Sequence, residues 1–221
     1  MDINDLFLCP ICKQIPPNER KQFLAQLDYK INRYKKGERL VSRGDTVDSL
    51  YVLLEGSVET ELISGSETTL NVDTIKAPNP LAPAFLFAEN NRFPVDIVAL
   101  EDSQVVLIPK SSVLKQFATN EIFLQSYMAF HANRTNVLSE RVKLLSIRTI
   151  KGKLAQYILS RTQNNHFVMG MNQTRLAEYF GVTRPSLARC LSEMIEEGAI
   201  TLKRKEGEVL NPNKLKDSIT H

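Results

Sequence analysis

Two arginines, Arg184 and Arg189, stand either side of a serine in the segment Gly181-Val182-Thr183-Arg184-Pro185-Ser186-Leu187-Ala188-Arg189. A guanidinium carries a rigid fork of donors that matches the O6 and N7 acceptors of guanine, and a serine hydroxyl bonds to either kind of base edge. That chemistry requires Arg184, Ser186 and Arg189 to be held outward on an element narrow enough for a DNA major groove. Two neighbouring clusters suit phosphate instead. Asn172, Gln173 and Thr174 join polar side chains to the backbone N–H groups of a helix start, and Thr183 does the same at the next one. Lys203, Arg204 and Lys205 supply attraction that is independent of sequence.

The elements needed to position these groups are legible around them. Residues 172–196 read as a helix-turn-helix. Asn172 suits the first N-cap and Thr183 the second. Ala177 is small where the helices must approach, and Gly181 can take the positive φ of the sharp turn. Pro185 falls in a first turn, where a missing N–H costs little. Leu176, Phe180, Val182, Leu187 and Leu191 fall inward, which leaves Arg184, Ser186 and Arg189 together on the outer side. Beyond Gly198, the arms Ala199–Leu202 and Glu208–Leu210 predict a hairpin turning at Glu206-Gly207, with the basic triplet on its rising arm. Lys153–Leu159 reads as a helix and Phe167–Met169 as a short strand.

Residues 121–147 contain no Pro and no Gly, which predicts one long helix. Leu124, Met128, His131, Thr135, Leu138, Val142 and Leu145 recur at alternating four and three, a seam suited to a second copy of the same helix. A second seam, Phe123, Tyr127, Phe130, Val137 and Leu144, predicts another buried face. From about Tyr34 to Pro109, short β-branched runs alternate with turn residues such as Ser64-Gly65-Ser66, as in a sandwich or barrel. Pro17–Leu27 reads as a small helix ahead of them.

Bulk properties narrow the function classes. The net charge of +3 is unevenly spread: residues 148–221 hold 12 Lys and Arg against 7 Asp and Glu, the remainder 16 against 18. A basic C-terminal third suits a polyanion. No apolar run is long enough for a membrane span. The start Met1-Asp2-Ile3 lacks the shape of a signal peptide, so a cytoplasmic location is expected. There is no glycine-rich phosphate loop, HExxH, G-x-S-x-G or histidine cluster to suggest an enzyme, and no catalytic or metal site is expected.

This order of parts resembles the cyclic-AMP receptor protein/FNR (Crp/Fnr) family of bacterial transcription regulators, from about Leu6 to Leu215. The matching residues are Gly37, Gly44, Leu50-Tyr51-Val52, Gly56-Ser57-Val58 and Ala99-Leu100-Glu101-Asp102-Ser103 in the first half. Leu176-Ala177, Gly181, the Arg184–Arg189 segment and Gly198-Ala199-Ile200 follow in the second. The resemblance implies an α+β fold: an N-terminal β-roll, the jelly roll of cyclic-nucleotide-binding domains, with a short helix at 1–118. A dimerisation helix at 119–147 and a winged helix-turn-helix at 148–221 complete it. It implies a homodimer on an inverted-repeat operator in double-stranded DNA, base contacts by Arg184 and Arg189, and RNA polymerase as a further partner.

Departures from the family pattern matter. Pro185 stands where several members carry a glutamate that reads a base, so the operator cannot be copied from them. Cyclic-nucleotide binders carry a Gly-Glu pair and an Arg-Ser/Thr pair. Here Asn79–Phe87 has no Gly-Glu, and Arg92-Phe93-Pro94 offers one arginine with no adjacent hydroxyl. Leu138-Ser139 stands where two hydroxyls would meet the base of cyclic AMP. The expected effector is therefore not cyclic AMP, and no cofactor is required. Arg92, Phe93, Arg134, Leu138 and Ser139 form the candidate effector pocket, with surface or structural ion pairing the plainer role for the arginines. Three cysteines cannot furnish the four thiolates of an iron–sulfur cluster. The Cys9-Pro-Ile-Cys12 pair is a weak zinc match, a subunit bridge or simple core. A competing reading, a β-roll that senses a small ligand or redox state through protein partners, leaves the arginine face and basic hairpin without a purpose.

Overall fold

A computed structural model of the chain describes residues 3–63 and 69–220. The expected Ser64-Gly65-Ser66 turn and the Met1-Asp2 start lie outside the described residues. The chain divides into two compact units, residues 1–133 and 134–221.

In the first unit a short 3-10 helix (Ile3–Leu8) leads to α1 (Pro17–Ala25), β1 (Lys30–Tyr34), β2 (Arg39–Val41), β3 (Ser49–Glu55), β4 (Ser57–Ile63) and β5 (Thr69–Lys76). After β6 (Asn79–Leu81) and a second 3-10 turn (Pro83–Phe87) come β7 (Asp96–Ala99), β8 (Ser103–Pro109), α2 (Lys110–Thr119) and the start of α3 (Glu121–Ser146). The strands form two antiparallel four-stranded sheets, ordered β1-β8-β3-β6 and β2-β7-β4-β5. This is the expected β-roll, although it begins four residues earlier than the strand pattern suggested, at Lys30. In β3, Leu50, Val52, Leu53 and Leu54 are all buried. A strand that alternated cleanly would cover one face only; this one is packed on both. The helical side of the core is aromatic, with Phe23 5.2 Å from Phe123 and Phe117 5.0 Å from Tyr127 between ring centroids.

In the second unit the end of α3 is followed by α4 (Ile150–Leu159), β9 (His166–Val168), α5 (Gln173–Phe180), α6 (Arg184–Glu196), β10 (Ile200–Lys203), β11 (Glu206–Val209) and α7 (Pro212–Thr220). Leu154, Ile158, Leu176, Phe180, Leu187, Met194 and Leu215 form its core. A three-stranded sheet, β10-β11-β9, flanks the helices.

Two expectations are corrected here. Val137, placed in a buried second seam, is 66% exposed, whereas Phe123, Tyr127 and Leu144 of that seam are buried. The hairpin turn is not at Glu206-Gly207. Lys203 pairs with Glu206, so Arg204 and Lys205 form the turn, and Arg204 takes the left-handed φ of 59°. Gly207 lies inside β11 because a Cβ there would run into the Thr201 carbonyl and the Phe167 ring. The glycine serves close packing, not reversal.

Candidate nucleic-acid interface

The outward helix of the second unit is fixed at its start by local hydrogen bonds. The Asn172 side chain accepts from the Arg175 N–H at 2.9 Å and caps α5. Leu176, Ala177 and Phe180 bury the inner face of α5. Gly181 then takes φ +68°, and the Val182 N–H donates to the Ala177 carbonyl at 3.0 Å, closing the turn. Lys153 reaches from α4 to donate to the Phe180 carbonyl at 3.0 Å, satisfying one of the acceptors that a helix end leaves open. Sequence reasoning did not single out Lys153, because nothing local marks its partner.

Since the space around Gly181 is open, only backbone strain opposes a side chain there. Gly181→Ala is expected to destabilise the second unit by about 1 kcal/mol, with Gly181→Asn costing less because asparagine tolerates the left-handed region. Thermal unfolding followed by circular dichroism measures both.

Thr183 caps α6, accepting from the Ser186 N–H at 3.4 Å. Leu187, Cys190, Leu191 and Met194 are buried beneath the helix, and Arg184, Pro185 and Arg189 are exposed. The expected trio does not share one line. At about 100° per residue, the outermost stripe runs through Pro185, Arg189, Ser192 and Glu196, with Arg184 and Ser186 on its opposite flanks. Ser186 is half-buried, and its hydroxyl lies 2.8 Å from that of Thr183, so it is shared with the cap. Asn172, Gln173 and Thr174 are exposed at the start of α5, and Lys203, Arg204 and Lys205 are exposed at the hairpin tip. The tip is tied down by the Met169 N–H, which donates to the Lys205 carbonyl at 2.7 Å.

The residues of the candidate effector pocket are not drawn together within either unit. Phe93 is a core residue, 1% exposed, its ring 5.3 Å from that of Tyr51 and nearly perpendicular to it. It cannot face a ligand. Arg92 is exposed and donates to the Gly44 carbonyl at 2.7 Å, a structural bond. Arg134, Leu138 and Ser139 are exposed in the second unit. The stretch Asn79–Phe87 carries Pro83 at the start of its 3-10 turn and buries Leu86 completely. Tyr127, read from the sequence only as a seam residue, donates its hydroxyl to the Pro83 carbonyl at 2.7 Å and ties α3 to that stretch.

Cys9, Cys12 and Cys190 are all buried. Burial pushes the Cys9 thiol up to about 12 and holds Cys12 well above the ordinary thiol range, the neighbouring Cys9 adding to the effect. Among the described residues, no three His, Cys, Asp or Glu side chains gather as a metal site. No helix of the described residues is long and apolar enough to cross a membrane.

Residues 31–120 match the model of the cyclic nucleotide-binding domain, and residues 152–218 that of the Crp-like helix-turn-helix domain. The chain is 28% identical to the anaerobic regulatory protein of Pasteurella multocida over 91% of its own length and 76% of that protein. Among solved structures, a transcriptional regulator of Thermotoga maritima is 30% identical with a TM-score of 0.54, the match covering 58% of this chain and 98% of the other. The catabolite activator protein of Thermus thermophilus, at 18% identity, gives a TM-score of 0.54 over 96% of this chain and 98% of the other, a likeness of fold.

Proposed function

Because the chain belongs to the Crp/Fnr family of transcription regulators, which are DNA-binding proteins and not enzymes, we propose that it acts as a homodimer on an inverted-repeat operator in the cytoplasm. Each subunit lays the N-terminal part of α6 in a major groove. The two half-sites lie about 34 Å apart, one turn of duplex. Arg184 and Arg189 read base edges, and Ser186 joins them by exchanging its bond to Thr183 for one to a base. Asn172, Gln173, Thr174 and Thr183 meet phosphate at the two helix starts, and Lys203, Arg204 and Lys205 meet it from the hairpin.

The observation that carries this reading is the division of α6 into a buried apolar face and an outer face bearing two exposed arginines. A helix with no partner on that side has no structural use for them. The paired subunits meet through Leu124, Met128, His131, Thr135, Leu138, Val142 and Leu145 of α3. RNA polymerase is the protein partner of the DNA-bound dimer. The division into sensor, dimer helix and reading head follows the boundaries 1–118, 119–147 and 148–221.

Cyclic AMP is not the expected effector: Asn79–Phe87 has no Gly-Glu pair, Pro94 has no N–H for an anion, and Phe93 is buried in the core. Selection of genomic fragments by the purified protein at fixed salt tests the operator, and an inverted repeat with half-sites one helical turn apart is the expected outcome. Lys203→Ala is expected to weaken all duplexes alike and to flatten the dependence of log K on log salt by about two, one phosphate contact being lost in each half-site. Base-selective loss in that variant would move Lys203 from the phosphate set to the reading set.

A further inference from the structure

The second unit contains a cleft of about 530 Å³ that shares no lining residue with the set proposed to meet DNA, a size that suits a small organic ligand. Its apolar walls are Val137 and Leu144 from α3 and Tyr179 from α5; its polar wall is Tyr157 from α4 and Arg161 from the turn that follows it. The position of Val137 here gives its high exposure a use that the second-seam expectation could not.

Tyr157 is 3% exposed, its ring held edge-on to Phe180 at 5.8 Å. Its hydroxyl is buried and has no hydrogen-bond partner. Buried hydroxyls are ordinarily satisfied, so one that is not points to a group outside the chain. The guanidinium carbon of Arg161 lies 3.8 Å from the centre of the Tyr157 ring. Its hydrogen bonds go to uncharged oxygens, the Ser160 hydroxyl at 3.2 Å and the Tyr157 carbonyl at 3.5 Å. Among the described residues no carboxylate pairs with Arg161. Both donors lie beside Gly170, where a built Cβ would be 3.5 Å from the Tyr157 hydroxyl and 3.6 Å from Arg161 Nε. Glu140 also lines the cleft, but its carboxylate is engaged by Lys143 at 2.9 Å. Outside the lining, Arg141 lies 5.4 Å from the centre of the Tyr179 ring.

We infer that this cleft binds a small aryl carboxylate. The carboxylate accepts from Arg161 and from the Tyr157 hydroxyl, and the flat apolar body lies against Val137, Leu144 and Tyr179. An unpaired cation and an orphaned donor call for an anion, and the apolar opposite wall calls for more than a bare one.

The full-length protein is titrated with benzoate, following heat of binding and the Arg161 Nε–H resonance, with acetate and phenol as probes that each carry half the recognised chemistry. Benzoate is expected to saturate at one per chain, with acetate and phenol at least tenfold weaker. Tyr157→Phe removes only the orphaned hydroxyl; it is expected to keep the melting temperature or raise it while weakening benzoate about tenfold. Arg161→Gln abolishes binding, and Arg92→Gln, in the other unit, leaves it unchanged. Absence of benzoate binding, acetate binding as tight as benzoate, or unaltered binding in both cleft variants overturns the inference. So does binding that emerges only once the chain is made monomeric, which assigns the cleft to the partner subunit. DNA takes no part in the readout, so this result stands apart from the operator experiment.

Discussion

Arg189→Ala is expected to weaken operator binding by about 2–6 kcal/mol and to relax the base preference at one position of each half-site. The magnitude is the roughly 1–3 kcal/mol of a bidentate arginine–guanine contact, counted at two half-sites that are far enough apart to add. At 1.4 kcal/mol per tenfold, the loss is about 30-fold at its smallest. Alanine is the better helix former, and the inner face of α6 is carried by Leu187, Cys190, Leu191 and Met194, so the variant keeps its fold. Arg189 is on the outermost stripe of the helix, and among the described residues no carboxylate pairs with it. Its guanidinium is therefore not diverted into the protein. Arg189→Lys sharpens the test: it keeps the charge and loses the fork, so affinity for random duplex survives while discrimination falls. Titrations of cognate and scrambled duplexes at one salt concentration measure both quantities. An equal loss on the two duplexes would make Arg189 a phosphate contact and leave base reading to Arg184.

The parts that could be read from the sequence are those whose constraints are local. Asn172, Gly181, Thr183 and Pro185 each answer a requirement set within a few residues, namely a cap, a left-handed turn, a second cap and a first-turn proline, and the structure has all four in those roles. The parts that were misread depend on residues brought from far away. Gly207 looked like a turn because the Phe167 ring and the Thr201 carbonyl that crowd it belong to other strands. Strand β1 was missed because Lys30-Ile31-Asn32-Arg33-Tyr34 is an edge strand with little apolar alternation, paired only with the distant β8. Strand β6 contains Pro80, which argues against a strand except at a sheet edge, where β6 lies. Phe93 looked available because its neighbour Arg92 is polar, yet its ring is in the core against Tyr51. The cleft beside Tyr157 had no sequence signal at all: its walls come from three helices, and the orphaned hydroxyl exists only once they pack.

The same contrast between local pattern and tertiary partner decides the largest effect expected of any variant. Leu138→Glu combined with Val142→Glu should leave each chain folded and monomeric. Both side chains are exposed in the single chain, at 62% and 67%, with Leu145 at 52% beside them on the same heptad seam. Glutamate there meets water in an isolated subunit, so the core of the second unit is untouched. Between two paired helices each apolar side chain contributes roughly 1.5–3 kcal/mol on full burial. Two positions in two chains then amount to roughly 6–12 kcal/mol, and four added charges oppose pairing further. Sedimentation velocity at micromolar concentration should show a monomer. Operator affinity should fall by about 10²–10⁴, because the second half-site is no longer held at high effective concentration. Val137→Glu is the control. Val137 has nearly the same exposure, 66%, on the same helix, but stands about 100° around the axis from Leu138, off the seam. A dimer that survives Val137→Glu and dissociates in the double variant places the subunit contact on one stripe of α3. If both dissociate, the subunits meet over a broader surface than that stripe; if neither does, they meet elsewhere, and the spacing of the two reading heads must be set by another part of the chain.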